Sequence, residues 1–211
     1  MYPSEITRER VADGVIHISG LLAVLTGCLA LVIYAVAKFD APLIIACSIY
    51  AICMIASFGA SASYHLLPQH HWRSGLRRFD HAAIYALIAG TFTPLLVHIG
   101  TTLLYFVLGA VWTLAIPAML FKVLGENIEP RWSLASYMGL GWIGSVAMPD
   151  FWSTLPTPAL VAIIAGAFFY SFGTIFYGRK TQAYRYAVWH LFVLLGTAAF
   201  FIAIWFALFP A

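Results

Sequence analysis

Charged residues are scarce in this sequence of 211 residues, in which Asp, Glu, Lys and Arg together make up only 9%. Soluble globular proteins carry about a quarter of their residues as charges, so the composition excludes an ordinary water-soluble fold. Hydrophobic residues account for 63% of the chain, and the mean hydropathy is +0.91. Lipid must cover most of such a surface, and the sequence therefore predicts an integral membrane protein.

Cysteine is also rare, and a cleavable signal peptide is not recognisable. Cys28, Cys47 and Cys53 lie inside apolar runs at spacings that match no metal or redox motif, so we expect small buried side chains. The stretch Met1–Asp13 is charged, and the apolar run that follows it is longer than the 7–15 residues that are typical of a signal peptide. We therefore expect the mature chain to keep its N-terminus.

Long apolar runs dominate the rest of the chain. A helix that crosses the hydrocarbon core needs about 20 mostly apolar residues. The sequence predicts seven such spans, at 15–37, 42–66, 79–99, 102–124, 132–149, 156–178 and 186–209. The connections are short, and neither a low-complexity linker nor an internal repeat separates them. We therefore predict an all-α fold in which residues 1–211 form one seven-helix membrane domain.

Positive charge is distributed unevenly between the two ends of these spans. Ten residues fall on one side, namely Arg8, Arg10, Arg73, Arg77, Arg78, Lys122, Arg131, Arg179, Lys180 and Arg185. The opposite side holds only Lys38. Because cytoplasmic loops are enriched in Lys and Arg, this split predicts a cytoplasmic N-terminus and a C-terminus outside.

Polar side chains collect at the predicted cytoplasmic ends of the spans. Such groups are expensive at membrane depth and usually face the interior of the bundle. They are His17, Ser61, His65, Asp80, His81, Tyr186 and His190. Ser61 and His65 are four residues apart and share one helix face, so they can point at one target. Taken alone, Asp80 at the predicted start of the third span is better explained as a helix cap or a partner of Arg77 than as a functional carboxylate.

The sequence resembles the hemolysin III family, the bacterial branch of the progestin and adipoQ receptor group in a superfamily that includes alkaline ceramidases. The resemblance extends over nearly the whole chain, and it rests on Asp13–Gly20, Ser61–His65, Phe79–Pro94 and Tyr186–Gly196. It implies seven helices in a bacterial inner (plasma) membrane. It also implies a zinc ion near the cytoplasmic face, held by a histidine of the second helix and a His-x-x-x-His pair of the seventh.

Carried onto this sequence, the resemblance makes His65 and His190 metal ligands and Ser61 the matching hydroxyl. Asp80 matches the aspartate that holds a water bound to the zinc, and we expect catalytic roles for Asp80 and Ser61. The first histidine of the pair is replaced by Tyr186, and a later family histidine by Phe200. Asp80 would therefore have to bind the metal directly, with Tyr186 or His17 completing the set.

Three functions are compatible with these residues. The first is a zinc-dependent hydrolase that acts on lipid amides, whose partners would be membrane lipids and not nucleic acid. The second, from the family's name, is a cytolytic pore or a channel, but a pore needs a polar stripe through the whole membrane. The polar residues gather at one leaflet, and the outer halves of the spans are almost purely apolar. The third is a regulator of lipid composition whose degenerate site binds a lipid without cleaving it.

Overall fold

The structure is a computed structural model that describes residues 6–67, 71–125, 130–179 and 181–209, without the side chains of Pro130 and Arg131. Lys180, which was counted among the cytoplasmic positive charges, lies outside the described residues. Every regular element in the described part is helical. The α-helices are α1 (Thr7–Lys38), α2 (Ala41–Leu66), α3 (Arg73–Ile99), α4 (Thr102–Leu124), α5 (Pro130–Trp142), α6 (Met148–Thr154), α7 (Thr157–Gly178) and α8 (Arg185–Leu208).

Six of these helices, α1 to α4 together with α7 and α8, are long and apolar enough to cross a membrane. They correspond to six of the predicted spans, although α1 begins eight residues and α3 six residues before the predicted start. In α1 the exposed face is a stripe of aliphatic side chains with helical spacing, which includes Val11, Val15, Ile18 and Leu22. Exposed aliphatic stripes of this length require lipid. The chain is therefore a helical, multi-pass membrane protein.

The fifth predicted span, 132–149, is not one continuous helix. The segment α5 ends at Trp142, a 3₁₀ helix follows at Ile143–Ala147, and α6 begins at Met148. The 3₁₀ helix packs against α4. A Cβ atom added at Gly144 would lie 2.3 Å from Cε1 of Phe92 in α3, so a larger residue there would require the Phe92 ring to move.

Neighbouring helices pack in an order that brings the first helix against the last. The pairs α1 and α2, α2 and α3, α3 and α4, and α7 and α8 lie side by side, and α1 also contacts α8. All three cysteines are buried and free, as the sequence predicted. The amino ends of α1, α3 and α8 and the carboxyl end of α2 meet at one end of this bundle, where the polar residues collect.

The helix α3 begins at Arg73, six residues before the predicted boundary. Asp80 therefore lies in the third turn of α3, where it is buried, and not at the helix start. The interpretation of Asp80 as a helix cap is wrong, because the backbone N–H groups near it already have partners within the helix.

Candidate metal centre

Three helices bring four side chains together in one cluster: Asp13 and His17 from α1, His65 from α2 and His190 from α8. The spacing of four between Asp13 and His17 places both on one face of α1. Asp13, His17 and His65 are buried, and His190 is partly buried. We call these four residues the Asp–His cluster. Burial of so many polar groups requires that they satisfy one another.

Asp13 is the centre of the hydrogen-bond network in this cluster. Nδ1 of His65 donates to Asp13 Oδ2 at 2.8 Å, and Nδ1 of His190 donates to Asp13 Oδ1 at 2.6 Å. Nδ1 of His17 donates to the backbone carbonyl oxygen of Asp13 at 2.8 Å. All three imidazoles are therefore held by oxygens of a single residue, and hydrogen bonds of this type orient a ring as well as stabilise it.

The three imidazole rings also contact one another. The ring centroids of His17 and His65 are 4.9 Å apart, those of His17 and His190 are 4.3 Å apart, and those of His65 and His190 are 4.4 Å apart. Tyr186, one turn before His190, lies with its ring 5.6 Å from the ring of His65. The tyrosine that replaces the expected histidine is thus at the edge of the cluster.

Ser61 and Asp80 lie directly beside the cluster. The hydroxyl of Ser61 lies within hydrogen-bond distance of Nε2 of His17, with 3.2 Å between the two atoms. The side chains of Ser61 and Asp80 are also hydrogen-bond partners. The hydroxyl of Ser61 therefore connects the carboxylate of α3 to the imidazole of α1.

Deeper in the bundle, the cluster is bounded by apolar side chains. Gly20 lies one turn beyond His17 in α1, and a Cβ atom there would be 3.2 Å from Phe58 and 3.3 Å from Leu194. These close contacts between α1, α2 and α8 leave little room for water on that side. The polar groups accordingly stay confined to one end of the helices.

On the other side, a cavity of about 160 Å³ leads to His65. It is lined by Thr7, Arg10 and Val11 of α1 and by His65 and Leu66 of α2. The three α1 residues are exposed. The cavity therefore opens at the border between polar and apolar residues of α1, and His65 is the member of the Asp–His cluster that lines it.

The donor set of the Asp–His cluster could hold a metal ion. One donor atom from each of the four residues can be chosen so that all four lie within 4.8 Å of one another. Imidazole nitrogens and carboxylate oxygens are the groups that bind zinc and related divalent ions in proteins.

Several of the expected site residues lie together. His65 and His190 are in the cluster, Ser61 contacts it, and His17, one of the two residues expected to complete the set, is in the cluster as well. Asp80 lies next to Ser61, and its direct binding of a metal stays a prediction. His81 is not a member of the cluster.

Sequence reasoning missed Asp13. The pattern Asp-x-x-x-His at residues 13–17 was present, and a carboxylate one turn before an imidazole is a recognisable pair of donors on one helix face. Its contacts with His65 and His190, which are 52 and 177 residues away in the chain, could not be read from the sequence.

Comparison with known proteins places the chain in a family. The family model described as "Haemolysin-III related" matches residues 5–201. The chain is 30% identical over 208 residues to Hemolysin-3 of Bacillus cereus, an alignment that covers 98% of this chain and 95% of that protein. It is 32% identical over 200 residues to the Hemolysin-3 homolog of Bacillus subtilis strain 168, which covers 94% of each. The chain therefore belongs to the haemolysin III family.

Proposed function

We propose that this protein is a metal-dependent hydrolase of lipid amides that works at the cytoplasmic side of the membrane. One observation carries this proposal: a buried group of three histidines and an aspartate lies beside a serine hydroxyl and a second buried carboxylate. Buried polar groups at the membrane boundary are costly, and they usually mark a functional site. A hydrolase needs such a group, and a purely structural bundle does not.

The donor set fits zinc. His65 and His190 would hold the ion together with the α1 side of the cluster, which would supply the donor that Tyr186 does not. When bound, zinc polarises a carbonyl group and lowers the pKa of a water molecule to about 7. Asp80 accepts the proton of the attacking water and returns it to the leaving amine. The hydroxyl of Ser61 donates a hydrogen bond to the developing oxyanion.

The substrate reaches the site through the cavity between α1 and α2. One part of its lining is the charged side chain of Arg10, and another part is formed by the apolar side chains of Val11 and Leu66. An amphiphile can place its head group near Arg10 and its chain along the aliphatic stripe of α1, because both surfaces are exposed. This arrangement favours a substrate that comes from the membrane and not from the cytoplasm.

The proposed topology has seven crossings, a cytoplasmic N-terminus and an external C-terminus. The ten-to-one distribution of Lys and Arg supports this orientation. Six crossings are the long helices, and the remaining one, fifth in chain order, is the broken segment from Pro130 to Thr154. This segment is helical throughout and long enough to reach across a core of about 30 Å. The Asp–His cluster then lies at the cytoplasmic boundary.

Elemental mass spectrometry of the detergent-purified protein tests this function. We expect about one zinc per chain in the wild type and loss of zinc in His65→Ala and His190→Ala. His98→Ala, at the opposite end of α3, is the matched control and should keep its metal. Hydrolysis of a fluorescent lipid amide should follow the metal content across the four proteins. A folded wild-type protein without metal would overturn the proposal.

The names of the two relatives raise lysis of cells as a second function. Purified protein added to erythrocytes tests it directly. If lysis depends on the hydrolase site, His65→Ala should abolish it. Lysis by both proteins at equal protein concentration would favour a pore, although the polar groups of the described helices gather at one end.

A further inference from the structure

The hydrogen bonds of the Asp–His cluster determine which nitrogen of each histidine carries a proton. A backbone carbonyl oxygen only accepts hydrogen bonds, so Nδ1 of His17 must carry the proton it donates to Asp13. An ionised carboxylate also only accepts, so Nδ1 of His65 and Nδ1 of His190 are protonated for the same reason. The lone pair of each neutral imidazole is therefore on Nε2.

The hydroxyl of Ser61 is compatible with this assignment. It lies 3.2 Å from Nε2 of His17, and a hydroxyl can be either the donor or the acceptor in such a pair. With the proton of His17 on Nδ1, the hydroxyl is the donor and Nε2 the acceptor, and a metal bound at Nε2 would replace this hydrogen bond.

The distances argue against Asp13 as a direct ligand. Two ligand atoms bound to one tetrahedral zinc, at bond lengths of about 2.0–2.2 Å, lie about 3.3 Å apart. The carboxylate oxygens of Asp13 lie 2.6 Å and 2.8 Å from Nδ1 of His190 and His65. These are the lengths of hydrogen bonds between an N–H group and a carboxylate.

We infer that His17, His65 and His190 bind the metal through Nε2, and that Asp13 stays outside the coordination sphere as their shared hydrogen-bond acceptor. The inference rests on the proposed metal site and assigns the roles within it. Histidine ligands in metalloproteins commonly donate their second nitrogen to a carboxylate or a carbonyl, which fixes the tautomer and the ring orientation. Here a single residue on α1 serves three such ligands and is their positioning residue.

The first experiment is ¹⁵N NMR of the metal-free, histidine-labelled protein in detergent micelles, with signals assigned from His17→Gln, His65→Gln and His190→Gln. We expect all three histidines of the wild type to carry the proton on Nδ1. In Asp13→Asn the amide NH₂ must face one Nδ1, so either His65 or His190 should change tautomer. Asp150→Asn, at the other end of the bundle, should change none.

This measurement needs no metal, so it can fail independently of the proposed function. Protonation of Nε2 in any of the three wild-type histidines would overturn the inference. If all three histidines carry the proton on Nδ1 but the protein binds no metal, the hydrolase proposal would be refuted. The role of Asp13 as a hydrogen-bond acceptor would be unaffected.

The second experiment is X-ray absorption spectroscopy of the zinc-loaded protein, which counts imidazole ligands. We expect three in the wild type and in Asp13→Asn, with zinc affinity weakened about 10–100-fold in the variant, and two in His17→Ala. A carboxylate ligand that is present in the wild type and lost in Asp13→Asn would show that Asp13 binds the metal directly. Asp13→Glu, which keeps both acceptor oxygens, should retain more affinity than Asp13→Asn.

Discussion

At the scale of single residues, Tyr186 offers the clearest test of the site. It lies one turn before His190 on the same face of α8, with its ring 5.6 Å from that of His65. We expect Tyr186→His to add a nitrogen donor and to restore zinc binding to His17→Ala. Zinc titration of the single and double variants measures this, and the gain in affinity should be at least about tenfold, or 1.4 kcal/mol.

Tyr34→His provides the control, because the Tyr34 ring lies near the other end of α1, against Trp205 and Phe209 of the C-terminal end. It should leave zinc affinity unchanged. If the double variant binds zinc no better than His17→Ala, then α8 does not present residue 186 to the metal.

Tyr184 is a second residue with a local prediction. It precedes α8 with φ at 55°, and it is the only non-glycine residue with positive φ in the described part of the chain. Asn tolerates this left-handed region, whereas β-branched residues are strongly disfavoured there. Tyr184→Asn should raise the free energy of unfolding by up to about 1 kcal/mol, and Tyr184→Val should lower it by about as much. Thermal melts in detergent measure both, and the reverse order would contradict the prediction.

Residues differ in how far the sequence could predict them. His65, His190 and Ser61 follow from motifs, because each belongs to a short stretch with a recognisable pattern. Asp13 does not, since its importance comes from contacts with His65 and His190 that exist only after α1 has packed between α2 and α8. The presence of Tyr186 where the family pattern has a histidine indicated that one donor was missing. It did not indicate which helix would supply a replacement donor.

At the scale of helices, the six long apolar spans were predictable because about 20 apolar residues in a row already define a crossing. The broken fifth span was not. It is interrupted between α5 and α6 by a 3₁₀ helix that packs against α4, a contact between helices that the sequence does not reveal. Gly139, Gly141, Gly144 and Pro149 in the same segment are weak helix formers, and they are the local sign of the break.

The contact between α2 and α3 also yields a prediction. A Cβ atom at Gly90 would lie 2.8 Å from Cβ of Cys53 and 3.5 Å from the backbone of Tyr50, so Gly90→Ala must push these two helices apart. Overpacking of this kind costs about 1–3 kcal/mol. We expect a lower melting temperature for Gly90→Ala in detergent. Gly109→Ala, where a Cβ atom meets nothing within 4 Å, should be neutral or slightly stabilising.

Equal melting temperatures for Gly90→Ala and Gly109→Ala would mean that α2 and α3 are packed more loosely than the structure describes. Because Cys53 and Tyr50 are both buried, their side chains have no free space into which they could withdraw.

At the scale of the whole molecule, the side of the membrane on which the C-terminus lies depends on whether the segment from Pro130 to Thr154 crosses the membrane. We expect a reporter that is active only outside the cytoplasm, such as alkaline phosphatase, to be inactive when fused after Gly125 and active when fused after Pro156. A fusion after Phe209 should also be active. Equal activity at Gly125 and Pro156 would show six crossings, and the two ends of the chain would then lie on the same side.

The Asp–His cluster joins the start of the chain to its end, since the contact between Asp13 and His190 spans 177 residues. During synthesis, α1 emerges first and must wait until α8 has entered the bilayer before its carboxylate gains the second imidazole. A nascent chain that stops before α8 holds only part of the donor set. In the proposed metal site, an ion could meet its full donor set only after α8 has joined the bundle, so metal uptake would mark a completed bundle.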